Sequence, residues 1–160
     1  MESWLFILLL TGLLCLAAWS LRSSHAMLRV PARYDSIRAL TSTVNHFVRA
    51  ARLGEREEFE FRLALDEACV NIIEHAYDND LSGEIAIFVR AVPGMCEIRL
   101  TDFGVAYDPR SIMPPQFGIG LGDSRPGGLG LHLMQKMMDE VNYTAGPDGN
   151  CLKMVKRRAS

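Results

Sequence analysis

Apolar residues recur at helical spacing early in the chain, at Ile37, Leu40, Val44, Phe47, Val48 and Ala51. Positions three and four apart share one face of a helix, so this spacing predicts an amphipathic helix. Asp35 or Ser36 stands where a cap is expected, and Gly54 where the helix should stop. A second stripe, Phe61, Leu65, Ala68, Ile72 and Ala76, predicts a longer helix from about Glu57 to Tyr77. Asp78-Asn79-Asp80 and Gly83 then read as a turn. Beyond it the pattern changes. Glu84 to Val92 is rich in Ile, Phe and Val, Met95 to Thr101 alternates, and Pro93-Gly94 joins them. That is the signature of a β-hairpin. Leu28-Arg29-Val30 reads as a short first strand ended by Pro31.

Asp102 to Arg125 fits no regular element, because it holds Gly104, Pro109, Pro114, Pro115, Gly118, Gly120 and Gly122. A loop of that length within a compact domain is usually functional or disordered. A helix is expected from near Gly128 to about Glu140, with Met134, Met137 and Met138 on its core side. Val141 to Ala145 and Cys151 to Lys156 form a closing hairpin around Gly146-Pro147-Asp148-Gly149. Short turns make sequential strands antiparallel neighbours. The expected fold is therefore a two-layer α/β sandwich, a largely antiparallel mixed sheet with the helices on one face.

The 160 residues divide into an apolar segment, 1–26, and one domain, 27–160. Trp4 to Leu21 is long enough to cross a bilayer as a helix, with Trp4 and Trp19 near its ends. Arg22, Arg29 and Arg33 follow it, an asymmetry that would leave the domain in the cytoplasm. A cleaved signal peptide needs positive charge ahead of the apolar run, and none is there. Two readings stay open: a membrane tether through residues 4–21, or an extension ahead of a start at Met27. The net charge of −2 calls for no nucleic-acid partner. Lys153, Lys156, Arg157 and Arg158 are expected to form a solvated edge. Cys15, Cys69, Cys96 and Cys151 are widely spaced and expected to be buried, reduced thiols.

Three constellations carry chemistry. Glu67 and Asn71, four residues apart on a predicted helix, point the same way. An Asn carbonyl is a hard ligand suited to Mg²⁺, and a Glu can take a proton from a hydroxyl. Spacing alone describes equally two solvent-facing polar residues, which is the commoner case. Asp102 ends a strand, and a carboxylate there can accept from an exocyclic amine such as adenine's. Gly104 allows close backbone approach, although Asp-x-Gly is also ordinary turn chemistry. Pro126-Gly127-Gly128-Leu129-Gly130-Leu131 opens a helix with glycines, where exposed N–H groups and the helix dipole favour anions. No Gly-Lys-Ser/Thr follows, so the segment is not a Walker A loop, and no parallel strand-turn-helix surrounds it.

In that order, "LALDEACVNIIEHAY", "LTDFGVAYDP" and "PGGLGLHLMQKMMDEVNY" resemble the N, G1 and G2 boxes of the GHKL ATPase superfamily. Within it the chain looks most like the bacterial anti-sigma factor/serine-protein kinase family. The resemblance spans Met27 to Arg157. It implies a Bergerat fold that binds ATP and Mg²⁺. Asn71 would coordinate the metal and Glu67 would be the base. Asp102 would read the adenine amine, with Gly104 beneath the base. Gly127, Gly128, Leu129, Gly130 and Leu131 would form the phosphate-binding segment, and Arg125 would meet the γ-phosphate. The 109–126 loop would be a lid. The family's G1 box usually has a second glycine where this chain has Ala106, and its members normally lack an apolar N-terminus. The implied activity is transcription regulation by partner switching. The protein, a homodimer, would sequester a sigma factor and phosphorylate a serine on a small anti-sigma antagonist. A nucleotide-gated binding module with little or no kinase activity is the alternative, and a third reading replaces the sigma factor with another target. His75, on the same helix, is read as a pocket-edge residue and not as a phospho-acceptor, because the chain has no room for a separate dimerising helix.

Overall fold

The computed structural model describes residues 23–106 and 128–159. The 4–21 run, Tyr107 and Asp108 of the G1 segment, the 109–126 lid, Arg125 and Gly127 lie outside those residues. The described elements are β1 (Ser24–Pro31), α1 (Tyr34–Ala50), α2 (Glu55–Asn71), a single π-helical turn (Ile72–Ala76), β2 (Glu84–Val92), β3 (Met95–Asp102), α3 (Gly128–Met137), β4 (Glu140–Gly146) and β5 (Gly149–Arg157).

The five strands form one sheet in the order β1-β2-β3-β5-β4, and every pairing is antiparallel. The expected sandwich is present, with no parallel pairing in the sheet described. Ile85, Ile87, Val89 and Ala91 alternate along β2 and join one core with Leu40, Val44 and Val48 of α1 and Phe61, Leu65 and Ala68 of α2. Met134, Met137 and Met138 belong to that core, as their spacing predicted. Each large side chain buried there stabilises the fold by about 1.5–3 kcal/mol before chain entropy is counted. Among the described residues no helix is long and apolar enough to cross a membrane.

Several local expectations change. β1 begins at Ser24, ahead of the 27 boundary, and pairs with β2 over its whole length up to Pro31↔Glu84. The N-cap of α1 is Arg33, in extended backbone, while Asp35 lies in the first turn and pairs with the Arg33 guanidinium at 2.7 Å. Gly54 does not end α1. That helix stops at Ala50, the chain reverses through Arg52 at φ 53°, and Gly54 is the N-cap of α2. A left-handed residue ends a helix without glycine when the following chain is tied down. The N-terminal boundary of α2 is Glu55, and its α-helical part ends at Asn71. α3 ends at Met137, short of Glu140, which instead opens β4.

Lys156 corrects the expected solvated edge. It is buried, and its ammonium donates to Glu60 Oε2 and to the Met137 carbonyl, each at 2.5 Å. It thereby holds the C-terminal end of α3 against α2, where the helix dipole favours a cation. Cys69 and Cys96 are buried as expected, and burial pushes both thiols up to about 12. Cys151 is only half-buried.

Candidate functional site

Asp102 occupies the last position of β3, between Ile85 of β2 and Asn150 of β5. It is 4% exposed. Its Oδ1 accepts from Asn150 Nδ2 at 2.9 Å and from the Gly104 N–H at 3.1 Å. Burial raises the carboxyl above its ordinary range, and these hydrogen bonds oppose the rise by favouring the charged form.

The segment after Asp102 is held by the end of the helix that carries Asn71. The Val105 N–H donates to the Ala76 carbonyl at 2.8 Å. A β-carbon at Gly104 would run into that same carbonyl, which explains the glycine. The Tyr77 hydroxyl accepts from the Phe103 N–H at 2.9 Å and donates to the Glu84 carbonyl at 2.7 Å. Ala76 closes the π-turn that starts straight after Asn71. Such turns recur at functional sites because the extra residue redirects the following backbone. Here it delivers Ala76 and Tyr77 to the Asp102–Gly104 segment. Ala106, the departure from the expected glycine, is exposed at the end of that segment. His75 lies in the π-turn and is half-buried.

Glu67 and Asn71 come from α2 and are half-buried. Both face the first turn of α3. A β-carbon at Gly130 would stand 2.6 Å from Glu67 Oε2 and 3.7 Å from Asn71 Nδ2. The pair therefore meets another element and does not simply face solvent. Gly128, Leu129 and Leu131 lie in the same first turn, within Gly128–Met137.

These pieces surround one pocket, lined by Ala68, Asn71, Ile72, Ala76, Asp102, Met134, Tyr143 and Leu152. Its walls are mostly apolar, with Asn71, Asp102 and Tyr143 as the residues that bring polar side-chain groups to it. Apolar walls with a few placed polar groups suit a flat heterocycle. Asn150, Ala76, Tyr77 and Tyr143 are the site residues that sequence reasoning missed.

Residues 30–156 match the family described as the histidine kinase-like ATPase domain. A serine/threonine-protein kinase of Bordetella bronchiseptica, BtrW, is 30% identical over 129 residues, covering 78% of this chain and 91% of that protein. The serine-protein kinase RsbW of Bacillus subtilis is 31% identical over 125 residues, covering 74% and 77%. Among solved structures, that of the RsbU and RsbW domains of Rv1364c from Mycobacterium tuberculosis superposes with a TM-score of 0.58 at 16% identity. The superposition covers 84% of this chain and 32% of that one, and supports the fold alone. Sheet order, pocket and sequence agree, and the chain belongs to the histidine kinase-like ATPase family.

Proposed function

We propose that this chain is a protein-serine kinase that uses Mg-ATP and also binds a sigma factor, exchanging it for a small anti-sigma antagonist. The observation that carries the reading is the convergence of Glu67 and Asn71 on Gly130 beside the pocket that holds Asp102. The names of the relatives, serine-protein kinases, favour the same activity.

The residues present fit the nucleotide. Asp102 offers a buried carboxylate to an exocyclic amine, and Gly104 keeps the backbone flat against the Ala76 carbonyl. Asn71 offers a side-chain carbonyl to Mg²⁺. The first turn of α3, from Gly128 to Leu131, offers N–H groups to phosphates, and Gly127 and Arg125 extend that segment in the proposal. When bound, the metal neutralises charge on the transferring phosphates.

In the proposed step the Glu67 carboxylate takes the proton from the antagonist's serine hydroxyl. The serine oxygen forms a bond to the γ-phosphorus as the bond to the β-phosphate oxygen breaks, and ADP leaves. Asn71 fixes the geometry, and the α3 N-terminus stabilises the charge left on the diphosphate. Phosphorylation would change the antagonist's charge and so its affinity, which is the partner switch. The reading places the domain in the cytoplasm, where ATP and sigma factors are found. Incubation with radiolabelled ATP and the antagonist serves as its test. Label on the antagonist's serine is the expected result, and a chain that binds ATP without transferring label would defeat the kinase reading.

A further inference from the structure

The contact between α2 and α3 is marked at both ends. At one end a β-carbon on Gly130 would stand 2.6 Å from Glu67 Oε2 and 3.7 Å from Asn71 Nδ2. At the other the Lys156 ammonium lies between α2 and α3, donating to Glu60 Oε2 and to the Met137 carbonyl at 2.5 Å each. Seven residues separate Glu60 from Glu67 on α2, and seven separate Gly130 from Met137 on α3. The helices therefore run antiparallel. At 1.5 Å of rise per residue the two fixed points stand about 10 Å apart on each helix, so they close in register.

Packed helices ordinarily lock their axial position through side chains that interdigitate. At its first turn α3 lacks that means, because Gly128 and Gly130 carry no side chain. Among the described residues its buried large side chains are Met134 and Met137. Methionine is unbranched and adaptable, and specifies a single packing poorly. Beyond the helix the Asp139 N–H donates to the Val155 carbonyl at 3.0 Å, and the Arg157 N–H donates to the Asp139 carboxylate at 2.5 Å. Those bonds tie the following link to β5 and leave α2 untouched. Of these ties, the one through Lys156 engages α2. Lys156 is 8% exposed, and a buried cation must stay paired, so its two acceptors are held in a fixed relation.

We propose that Lys156 is a positioning residue for the phosphates: by fixing the axial register of α3 against α2, it sets the first turn of α3 opposite Asn71 and Glu67. The proposal rests on the nucleotide reading of the pocket. That pocket is walled by α2 and its π-turn, β3, β4 and β5, and α3 contributes Met134 to it. A slide of α3 therefore displaces the phosphate site and leaves most of the base site in place. Positioning thus has a signature that a plain loss of stability lacks.

Affinity for Mg-ADP is measured by calorimetry, and affinity for adenosine by its competition with Mg-ADP, on wild type, Lys156→Met and Glu60→Gln. Melting curves set a temperature at which each protein is folded. Lys156→Met has no donor for either acceptor, while Glu60 keeps Arg56 at 2.8 Å and so stays paired. Its affinity for Mg-ADP should fall about ten-fold or more, the order of one lost hydrogen bond to a charged group, with adenosine within about three-fold of wild type. Glu60→Gln keeps an oxygen for the ammonium without the charge, and should show the same selective loss at smaller size. It decides the matter if Lys156→Met fails to fold. Equal losses for the two ligands, or an unchanged affinity for Mg-ADP in the folded variants, would mark Lys156 as merely structural and overturn the proposal. A wild-type chain that binds neither ligand would overturn the nucleotide reading and this proposal with it.

Discussion

The Glu67 carboxylate rests over the first turn of α3, so close that a β-carbon on Gly130 would stand 2.6 Å from Oε2. Gly130 is buried, and the obstacle is the far end of a flexible side chain rather than backbone. Glu67 can therefore swing aside to admit a methyl group, but only by leaving the position from which it would act. Gly130→Ala should keep its melting temperature or gain, since alanine favours a helix over glycine by about 1 kcal/mol. Phosphotransfer should nonetheless fall by about ten-fold or more, because a misplaced base loses its alignment. Thermal melts beside a label-transfer assay check this. Unchanged transfer would show that Glu67 need not stay where it is.

Gly104→Ala makes a contrast. There the added carbon meets the Ala76 carbonyl, which is backbone and itself accepts from the Val105 N–H at 2.8 Å. Neither side can yield without breaking that hydrogen bond. The variant should lose about 1–3 kcal/mol of stability, the usual cost of overpacking, and most of its nucleotide affinity. Denaturant unfolding and calorimetry give the two readouts. Stability equal to wild type would mean that the Asp102–Gly104 segment moves freely against the π-turn.

Glu60 predicts a pH effect on stability. Burial works to raise its carboxyl, but the hydrogen bonds and charges of Lys156 and Arg56 outweigh it and hold the group below its ordinary 4.5. A carboxyl depressed on folding stabilises the protein above its unfolded pKa and loses that contribution as pH falls through the folded value. Lys156→Met removes the pair at every pH and leaves the Met137 carbonyl without this donor. The variant should melt below wild type at pH 7, and the gap should narrow as pH drops below 4.5. A gap independent of pH would assign the loss to packing.

The parts of the site that could be read from sequence are those whose meaning is local. Glu67 and Asn71 share a helix face by spacing, and Asp102 with Gly104 marks a strand end. The β-hairpins were legible from their apolar strands and from turns at Pro93-Gly94 and around Gly146-Pro147-Asp148-Gly149, the second of which the structure tightens to Pro147-Asp148. Asn150 was not, because it meets Asp102 only once β5 lies between β3 and β4, and hydrophobic period does not encode strand order. The same holds for Lys156. A charge near other charges reads as surface until a helix end and Glu60 are brought against it from 19 and 96 residues away. Ala76 and Tyr77 act through a carbonyl and a hydroxyl that the π-turn aims, and a pattern of 3.6 residues per turn contains no signal for that turn.

Asn71 should make nucleotide binding depend on Mg²⁺. Its side chain lies 3.7 Å from the β-carbon position of Gly130, so a metal held by its carbonyl would sit near the α3 N-terminus and the phosphates. Asn71→Ala should abolish measurable affinity for Mg-ATP while the far-ultraviolet circular dichroism stays native. Wild type should lose affinity in the presence of a chelator, and the variant should be indifferent to it. Unchanged affinity in Asn71→Ala would remove this residue from the site.

Glu67→Gln separates a kinase from a nucleotide-gated binder. Gln keeps the size of Glu and one carbonyl oxygen, and it meets Gly130 with the same reach. ATP binding should therefore stay within a few-fold of wild type. A neutral amide cannot take the serine proton, so phosphotransfer should drop by about 10²–10⁴, the usual contribution of a general base. The measurement needs the antagonist, Mg-ATP and a phosphate-sensitive gel, with calorimetry on the same preparations. Sigma-factor binding should survive, because in this reading the partner surface lies elsewhere than Glu67. If the protein is only a binder, wild type and variant will both leave the antagonist unmodified. If the variant transfers phosphate as fast as wild type, the kinase stands and the proton leaves by another route, in which case the contact between Glu67 and the first turn of α3 is one of packing.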